Sequence, residues 1–204
     1  MIQNKDRSGW FGASDTKYIV GRWGSDTFYK WWLVKLGVRT SNFTNRYTMA
    51  GTHYEHRILA YLGIISMDKQ YRKRRYRLRV NLDGNTSGSI HEVKTYKFEN
   101  GFKVTPDYEN QVQVEMYGSE YRRAEIIAYG LLEEDYSNYF NDIDPMRLSF
   151  HQIDYRPDFI SKIYLPNLKY LARCLRRGVT PDESKRVKDT NQRRRRGGDC
   201  VDCR

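Results

Sequence analysis

The sequence VNLDGNTSGSIHEVKTYK, residues 80–97, carries the pattern on which the fold and function of this chain depend. Asp83 and Gly84 are predicted to enter a tight turn, and the short strand beyond it carries Glu92 and Lys94. Because side chains alternate between the two faces of a strand, Glu92 and Lys94 are expected to share one face and to present a charged pair to a cleft. Ordinary solvent-facing strands show the same spacing, so the rest of the chain must decide its meaning.

The composition favours one compact domain with a basic surface. A chain of 204 residues is close to the length of one domain, about 100–200 residues. There are 36 Lys and Arg against 25 Asp and Glu, a formal net charge of +11, and 17 tyrosines. A basic surface rich in aromatic rings suits nucleic acid, which can be both neutralised and stacked upon. Charge alone leaves a merely solvated basic surface equally open.

The order of the predicted elements indicates an α/β fold with a mixed central sheet flanked by helices. Helices are predicted over 14–22, 26–36, 50–62, 107–118 and 157–176, and strands near 76–82, 89–96, 122–131 and 147–155. We expect a domain over residues 1–177. Residues 178–204 lack apolar periodicity and contain four consecutive arginines, which is typical of a disordered basic tail.

The chain is expected to be intracellular. The first 15 residues lack the apolar core of a signal peptide, and no stretch approaches the roughly 18 apolar residues of a spanning helix. The three cysteines, Cys174, Cys200 and Cys203, provide no disulfide framework. Cys200 and Cys203 form at best half of a zinc or iron–sulfur site, and we favour a flexible end of the chain instead.

Carboxylates at these positions fit metal-assisted hydrolysis of a phosphodiester. Such hydrolysis needs a water oriented for in-line attack, and carboxylates are the ligands that Mg²⁺ prefers. Asp83 and Glu92 can supply them, with Lys94 beside the water and the phosphate. Glu55, on the helix over 50–62, is the natural third carboxylate. Buried carboxylates repel one another unless a cation compensates, so a metal ion or Lys94 must do so.

Four short motifs together resemble a known family. They are G-x-x-x-E (Gly51, Glu55), D-G (Asp83, Gly84), E-x-K (Glu92, Lys94) and Q-x-Q (Gln111, Gln113). In this order the chain resembles the lambda-exonuclease-like, YqaJ-type viral recombinase family of the PD-(D/E)XK nuclease superfamily, over residues 7–131. The resemblance implies a restriction-endonuclease-like fold.

The resemblance also implies an activity. It is a Mg²⁺-dependent deoxyribonuclease, with Mn²⁺ as a substitute ion, that digests one strand of linear duplex DNA from a 5′ end and leaves single strand for an annealing protein. The setting would be phage or prophage recombination in a host cytoplasm, and a homo-oligomer is left open. An endonuclease with the same site, and a DNA-binding recombination or packaging factor without turnover, are the alternatives.

Site residues follow from the same resemblance. Asp83 and Glu92 would bind the metal with the main-chain carbonyl of Val93, and Glu55 would assist. Gln111 would support the catalytic Lys94, and Tyr108 falls where the family often has an aromatic near the site, although packing on the sheet explains it equally well.

Contacts to DNA are predicted in two places. The family has an Arg followed seven residues later by a Ser at a helix start, and Arg7 and Ser14 resemble this pair. A guanidinium and a helix N-terminus would together bind a terminal phosphate, although Ser14 fits an ordinary N-cap as well. The chain departs from the family pattern at two positions before Asp83, where it has Asn81 and Leu82. The nearest cation after the motif lysine, Lys94, is Lys97. The basic run over 69–79 is predicted to line the path of the DNA backbone. Its central cations are Arg72, Lys73, Arg74 and Arg75.

Overall fold

A five-stranded mixed sheet organises the part of the chain that the computed structural model describes, residues 8–40 and 45–189. The strands are β1 (Ser66–Lys73), β2 (Leu78–Asn85), β3 (Ile90–Lys97), β4 (Arg123–Leu131) and β5 (Leu148–Asp154), and they lie side by side in chain order. Only β3 and β4 are parallel, and they are joined by a helical crossover. The predicted α/β class with a mixed sheet flanked by helices is confirmed.

Helices cover both faces of this sheet. They are α1 (Thr16–Ile19), α2 (Asp26–Lys35), α3 (Arg46–Tyr61), α4 (Pro106–Ser119) and α5 (Leu165–Arg177). Local sequence starts several of them: Ser25 caps α2 and Thr105 caps α4, each by accepting a main-chain N–H of the first turn. In the described ranges no helix is both long enough and apolar enough to cross a bilayer.

Two apolar clusters hold the layers together. On one face, residues of α2, α4 and α5 pack with the inward side of β2. On the other face, Tyr54 and Leu59 of α3 pack with Tyr129 of β4. Gly84 allows α3 to approach, since an added Cβ there would lie 2.9 Å from a methyl of Leu59. The sheet is therefore fixed between α3 on one side and α4 with α5 on the other.

The feature that positions the site is a fork between β2 and β3. These strands pair at only two positions, Gly84 with His91 and Asn85 with Ile90, and then diverge. The N-terminal segment takes the vacated edge of β2, where Phe11 donates to the carbonyl of Arg77 at 2.7 Å and accepts from Arg79 at 2.8 Å. A cleft opens between this segment and β3.

Two strand predictions were wrong. Asp83 and Gly84 lie inside β2, and the turn follows at residues 86–89. The strand β1 was not predicted, because its sequence SMDKQYRK has no apolar alternation. Its pairing with β2 over seven positions overrides that local preference.

Helix α2 buries two adjacent tryptophans, and the last helix contains a π-helical segment. Trp31 and Trp32 are adjacent in α2 and point to different sides of it, yet both are buried. The helix is covered on two sides: Trp31 donates to Asp15 at 2.8 Å, and Trp32 stacks on Phe28. The helix predicted over 157–176 is present: helical structure runs from 157 to 177, with a π-helical segment at Phe159–Tyr164 directly before α5, whose first turn contains Pro166.

The predicted tail makes specific contacts in its first part. Glu183 accepts from the main chain of Trp23 and Gly24, and Val187 donates to Asn167 at 2.7 Å. The chain therefore contacts the domain as far as Val187, unlike the disordered segment we expected. Residues 190–204 lie outside the described residues, and the division of the chain at residue 177 stays a prediction.

We predict that Gly118→Ala destabilises the fold. An added Cβ would lie 2.5 Å from a methyl of Val80, between α4 and β2. Overpacking of this kind costs about 1–3 kcal/mol, and the better helix propensity of Ala returns about 1 kcal/mol. Urea denaturation should show a net loss of about 1 kcal/mol in the free energy of unfolding.

The matched control is Gly88→Ala, because nothing lies within 4 Å of a Cβ at that position. Its effect should stay within about 0.5 kcal/mol. Equal stability of the two variants would contradict the close approach of α4 to β2.

Candidate active site

Asp83 and Val93 join the two sides of the fork. The Asp83 carboxylate accepts a hydrogen bond from the main-chain N–H of Val93 at 2.9 Å, where ladder pairing between β2 and β3 has ended. The N–H and C=O of one strand residue point toward the same neighbouring strand. The carbonyl of Val93 therefore faces the same gap as Asp83.

Glu92, Lys94 and Gln111 form one hydrogen-bonded group beside Asp83. The ammonium of Lys94 donates to Oε1 of Glu92 at 2.5 Å, and Nε2 of Gln111 donates to the same oxygen at 2.6 Å. Lys94 also donates to Oε1 of Gln111 at 3.4 Å. The predicted shared face of Glu92 and Lys94 is present, and Gln111 of α4 holds both side chains in place.

Glu115 is a member of this group that the sequence analysis missed. It lies one helical turn after Gln111, accepts from Nε2 of Gln111 at 2.9 Å, and is only 1% exposed. A glutamate in a mixed polar helix resembles a surface residue in sequence. The available signal was its i+4 spacing from Gln111, which places both on one helix face.

Negative charge exceeds positive charge in this group. Burial, followed by the charges of Glu92 and Glu55, raises the pKa of Asp83 well above its usual value. Burial and Glu92 do the same to the pKa of Glu115. Burial alone would lower the pKa of Lys94, but the negative charges of Glu92, Glu115 and Asp83 together raise that pKa, so the ammonium stays protonated.

Glu55 approaches the group from α3, on the other side of the sheet. Burial, followed by the negative charge of Glu92, raises the pKa of Glu55 to about 7. Gly51 lets α3 come close to β3, since a Cβ there would lie 3.1 Å from the hydroxyl of Thr95. Glu55 therefore interacts electrostatically with Glu92, and its role as a third carboxylate stays a prediction.

Glu55 also belongs to a second group of metal-ligating side chains. Glu55, His56 and Asp68 offer ligand atoms that all lie within 4.8 Å of one another, and Nε2 of His56 is 2.9 Å from Oδ2 of Asp68. Two carboxylates and an imidazole suit a divalent cation. Glu55 thus links this group to Glu92.

The cleft continues from Asp83 to the N-terminal segment. It has a volume of about 180 Å³, and Ser14, Lys35 and Arg79 line its far side. Ser14 is exposed in the 3₁₀ turn Ala13–Asp15, while Lys35 is buried and paired with Asp15 at 2.5 Å. Ser14 therefore faces the cleft as expected, and Arg7 lies outside the described residues.

Tyr108 and Lys97 occupy different surroundings. The ring of Tyr108 lies 5.2 Å from the ammonium of Lys94 and stacks on Phe102. It touches the site as predicted and also packs. Lys97 ends β3 and pairs with Glu99 at 3.3 Å. The other glutamine of the motif, Gln113, donates to the carbonyl of Asp154 at 2.8 Å and so ties α4 to the end of β5.

The predicted basic run is divided between two places. Arg72 lies over the ring of Trp10, which lines the cleft. Lys73 pairs with Glu120 at 3.0 Å, and Arg74 and Arg75 form the 3₁₀ turn at the far end of the β1–β2 hairpin. Of the four cations, Arg72 alone is placed beside the cleft.

Solved nuclease structures share this architecture. An alkaline exonuclease (LHK-Exo) from Laribacter hongkongensis matches with a TM-score of 0.64 at 15% identity, over 84% of this chain and 90% of that one. Its complex with dAMP gives a TM-score of 0.65 at 16% identity over the same shares. The chain has the fold of these exonucleases. A phage-related exonuclease from Haemophilus somnus 129PT matches with a TM-score of 0.57 at 13% identity, over 82% of this chain and 92% of that one.

These matches confirm the predicted resemblance at the level of the fold. No protein-family model matches the chain, and no curated protein sequence matches it. The similarity therefore lies in the arrangement of the elements, and the roles of individual residues rest on the geometry of the cleft.

We predict that Glu55→Gln changes how stability depends on pH in metal-free protein. The pKa of Glu55 is about 7 in the fold and about 4.3 in an unfolded chain. The protonated form is favoured by folding, so its contribution is full below about pH 4.3 and is lost as pH rises to about 7. Relative to Glu55→Gln, the wild type should lose about 2 kcal/mol over this window, after allowance for solvent screening.

The measurement is urea denaturation in EDTA at several pH values, with the exposed Glu134→Gln as control. The difference in the free energy of unfolding between the wild type and Glu134→Gln should not change with pH. If the difference between the wild type and Glu55→Gln is also independent of pH, Glu55 does not interact with the charges of the cleft.

Proposed function

We propose that this protein is a Mg²⁺-dependent deoxyribonuclease that digests linear duplex DNA from a 5′ end. One observation carries the proposal: Asp83, Glu92 and Lys94 meet at the fork between β2 and β3. The fold shared with the exonucleases supports it.

The donor set fits a hard divalent cation. Three carboxylates, those of Asp83, Glu55 and Glu115, have raised pKa values, and negative charge is among the causes for each. Oxygen ligands of this kind suit Mg²⁺ or Mn²⁺. We assign Asp83, Glu92 and the Val93 carbonyl as ligands, with Glu55 assisting. When bound, the metal would supply Lewis acidity and a more acidic water.

Lys94 is proposed to act as a fixed positive charge beside the scissile phosphate. It is protonated and held by Glu92 and Gln111, so it is ready to donate hydrogen bonds without reorganisation. An ammonium at this place can orient the attacking water and stabilise charge that develops on the phosphate oxygens. Gln111 holds the Lys94 side chain in this orientation, and the ring of Tyr108 restricts the movement of the ammonium.

Preference for a 5′ end would come from the far side of the cleft. Ser14 lies in the 3₁₀ turn Ala13–Asp15, and Arg79 of β2 lines the same cleft. A guanidinium and a hydroxyl are suitable donors to a terminal phosphate. Arg7 would add a second guanidinium, as the sequence pattern predicts.

The biological setting is proposed on the family resemblance. An exonuclease that leaves single strand would serve an annealing protein in phage or prophage recombination, in the cytoplasm of a host cell. A homo-oligomer that encloses the duplex is compatible with this role.

We predict that Lys94→Ala lowers cleavage of duplex DNA at least about 100-fold. Binding in Ca²⁺ should change less than about threefold, because one of many phosphate contacts is lost. Lys162→Ala, which removes an exposed cation of a surface pair, is the matched control and should cleave like the wild type. Equal cleavage by Lys94→Ala would refute the assigned mechanism.

We further predict the course of digestion. Linear duplex DNA labelled at the 5′ or the 3′ end, and covalently closed circles, are incubated with Mg²⁺ and with EDTA. Early release of the 5′ label as mononucleotide, from linear DNA and only with Mg²⁺, is expected. Cutting of circles would replace the proposal by an endonuclease, and binding without cleavage would favour a non-catalytic DNA-binding factor.

A further inference from the structure

One side of α5 is uniformly basic and lies away from the cleft. Lys169, Arg173, Arg176 and Arg177 are all exposed. Their spacing of i, i+4, i+7 and i+8 places them on one face of the helix. The opposite side of α5 is buried against the core through Leu168, Leu171 and related residues. The charged side is therefore fixed in direction by the packing of the apolar side.

A second element brings two more cations to this face. Arg74 and Arg75, in the turn between β1 and β2, are both exposed. The guanidinium of Arg176 donates to the main-chain carbonyl of Arg75 at 3.3 Å. The ammonium of Lys169 lies 5.8 Å from the ring of Tyr76. We call these six cations, from two elements far apart in the chain, the α5 basic face.

Local acidic groups do not neutralise the α5 basic face. Across residues 8–40 and 45–189, no ion pair includes any of the six cations. The nearby acids have other partners: Asp182, whose main-chain N–H donates to Tyr170 of α5 at 3.2 Å, accepts from Ser184, and Glu183 pairs with Arg186 at 2.7 Å. The helix dipole favours Arg176 and Arg177 in the last turn. It does not account for Lys169, Arg173 or the two arginines of the turn.

The distance from the cleft suits a duplex. Leu78 begins β2 at the turn, and Asp83 follows about five positions later, which corresponds to roughly 17 Å of strand. This length matches about five base pairs of DNA. Both α5 and α4 cover the same side of the sheet, and α4 carries Gln111 of the cleft. A duplex end in the cleft can thus extend over the face.

We propose that the α5 basic face binds the phosphate backbone of duplex DNA about five base pairs or more from the end held in the cleft. The inference rests on the proposed nuclease function for the position of the end, but the binding itself needs no turnover. Clustered, unpaired cations repel one another, and a regular array of phosphates offsets this repulsion. Contacts of this kind are independent of DNA sequence and sensitive to salt.

The test compares two variants that each remove two arginines. Arg173→Ala/Arg177→Ala reduces the α5 basic face, and Arg122→Ala/Arg123→Ala, the control, removes two exposed arginines that do not belong to it. Binding to hairpin DNA is measured in Ca²⁺ without Mg²⁺ over a range of salt, with stems of about 5 and about 20 base pairs. Circular dichroism verifies that both variants are folded.

For the long stem, the first variant should bind roughly tenfold more weakly, and the slope of log K against log salt should fall by about 1.8. The short stem and the control variant should be unaffected. Unchanged affinity and slope for the long stem would overturn the proposal even if the wild type cleaves DNA. Loss of binding to anionic lipid vesicles, with DNA binding intact, would overturn it in favour of a membrane surface.

The two proposals fail in different ways. If the wild type cleaves no DNA in Mg²⁺ but the long-stem effect is present, the nuclease function falls and the DNA-binding face stands. If the wild type cleaves DNA but the long-stem effect is absent, the nuclease function stands and the DNA-binding face falls.

Discussion

The hydrogen bond from the Val93 amide to the Asp83 carboxylate is the interaction on which the site depends. It replaces the ladder between β2 and β3, which ends at the pair Gly84 and His91, so that the strands can diverge without leaving the Val93 amide unpaired. Divergence then opens the cleft, and the N-terminal segment closes its far side. The carboxylate that we propose as a metal ligand is in this way also a structural element of the sheet.

The same cleft carries an electrostatic cost. Burying several carboxylates around one ammonium raises the pKa values of Asp83 and Glu115, and each raised pKa means that ionisation opposes folding at neutral pH. The α4 helix offsets part of the cost, because Gln111 donates to both Glu92 and Glu115. A divalent cation would offset more. Function at this place therefore depends on a scaffold that is stabilised elsewhere, by the apolar clusters on both sides of the sheet.

Local pattern was enough to predict the core of the site. Period-two alternation placed Glu92 and Lys94 on one face, and the motif order supplied Glu55 and Gln111, which the fold brings to them. What the pattern missed depends on tertiary structure. The edge strand β1 has no apolar alternation, and Asp83 was assigned to a turn because Asp-Gly favours turns locally. Glu115 resembled a surface residue, and the pairing of distant cations on the α5 basic face is invisible in sequence.

The central claim is that Asp83, Glu92 and the Val93 carbonyl hold one divalent cation at the fork. The most direct test is a crystal structure with Mn²⁺, in which anomalous scattering locates the ion. We predict a peak within about 2.3 Å of oxygens from all three residues, and loss of that peak in Asp83→Asn. A peak at Glu55, His56 and Asp68 alone, with none between β2 and β3, would contradict the account.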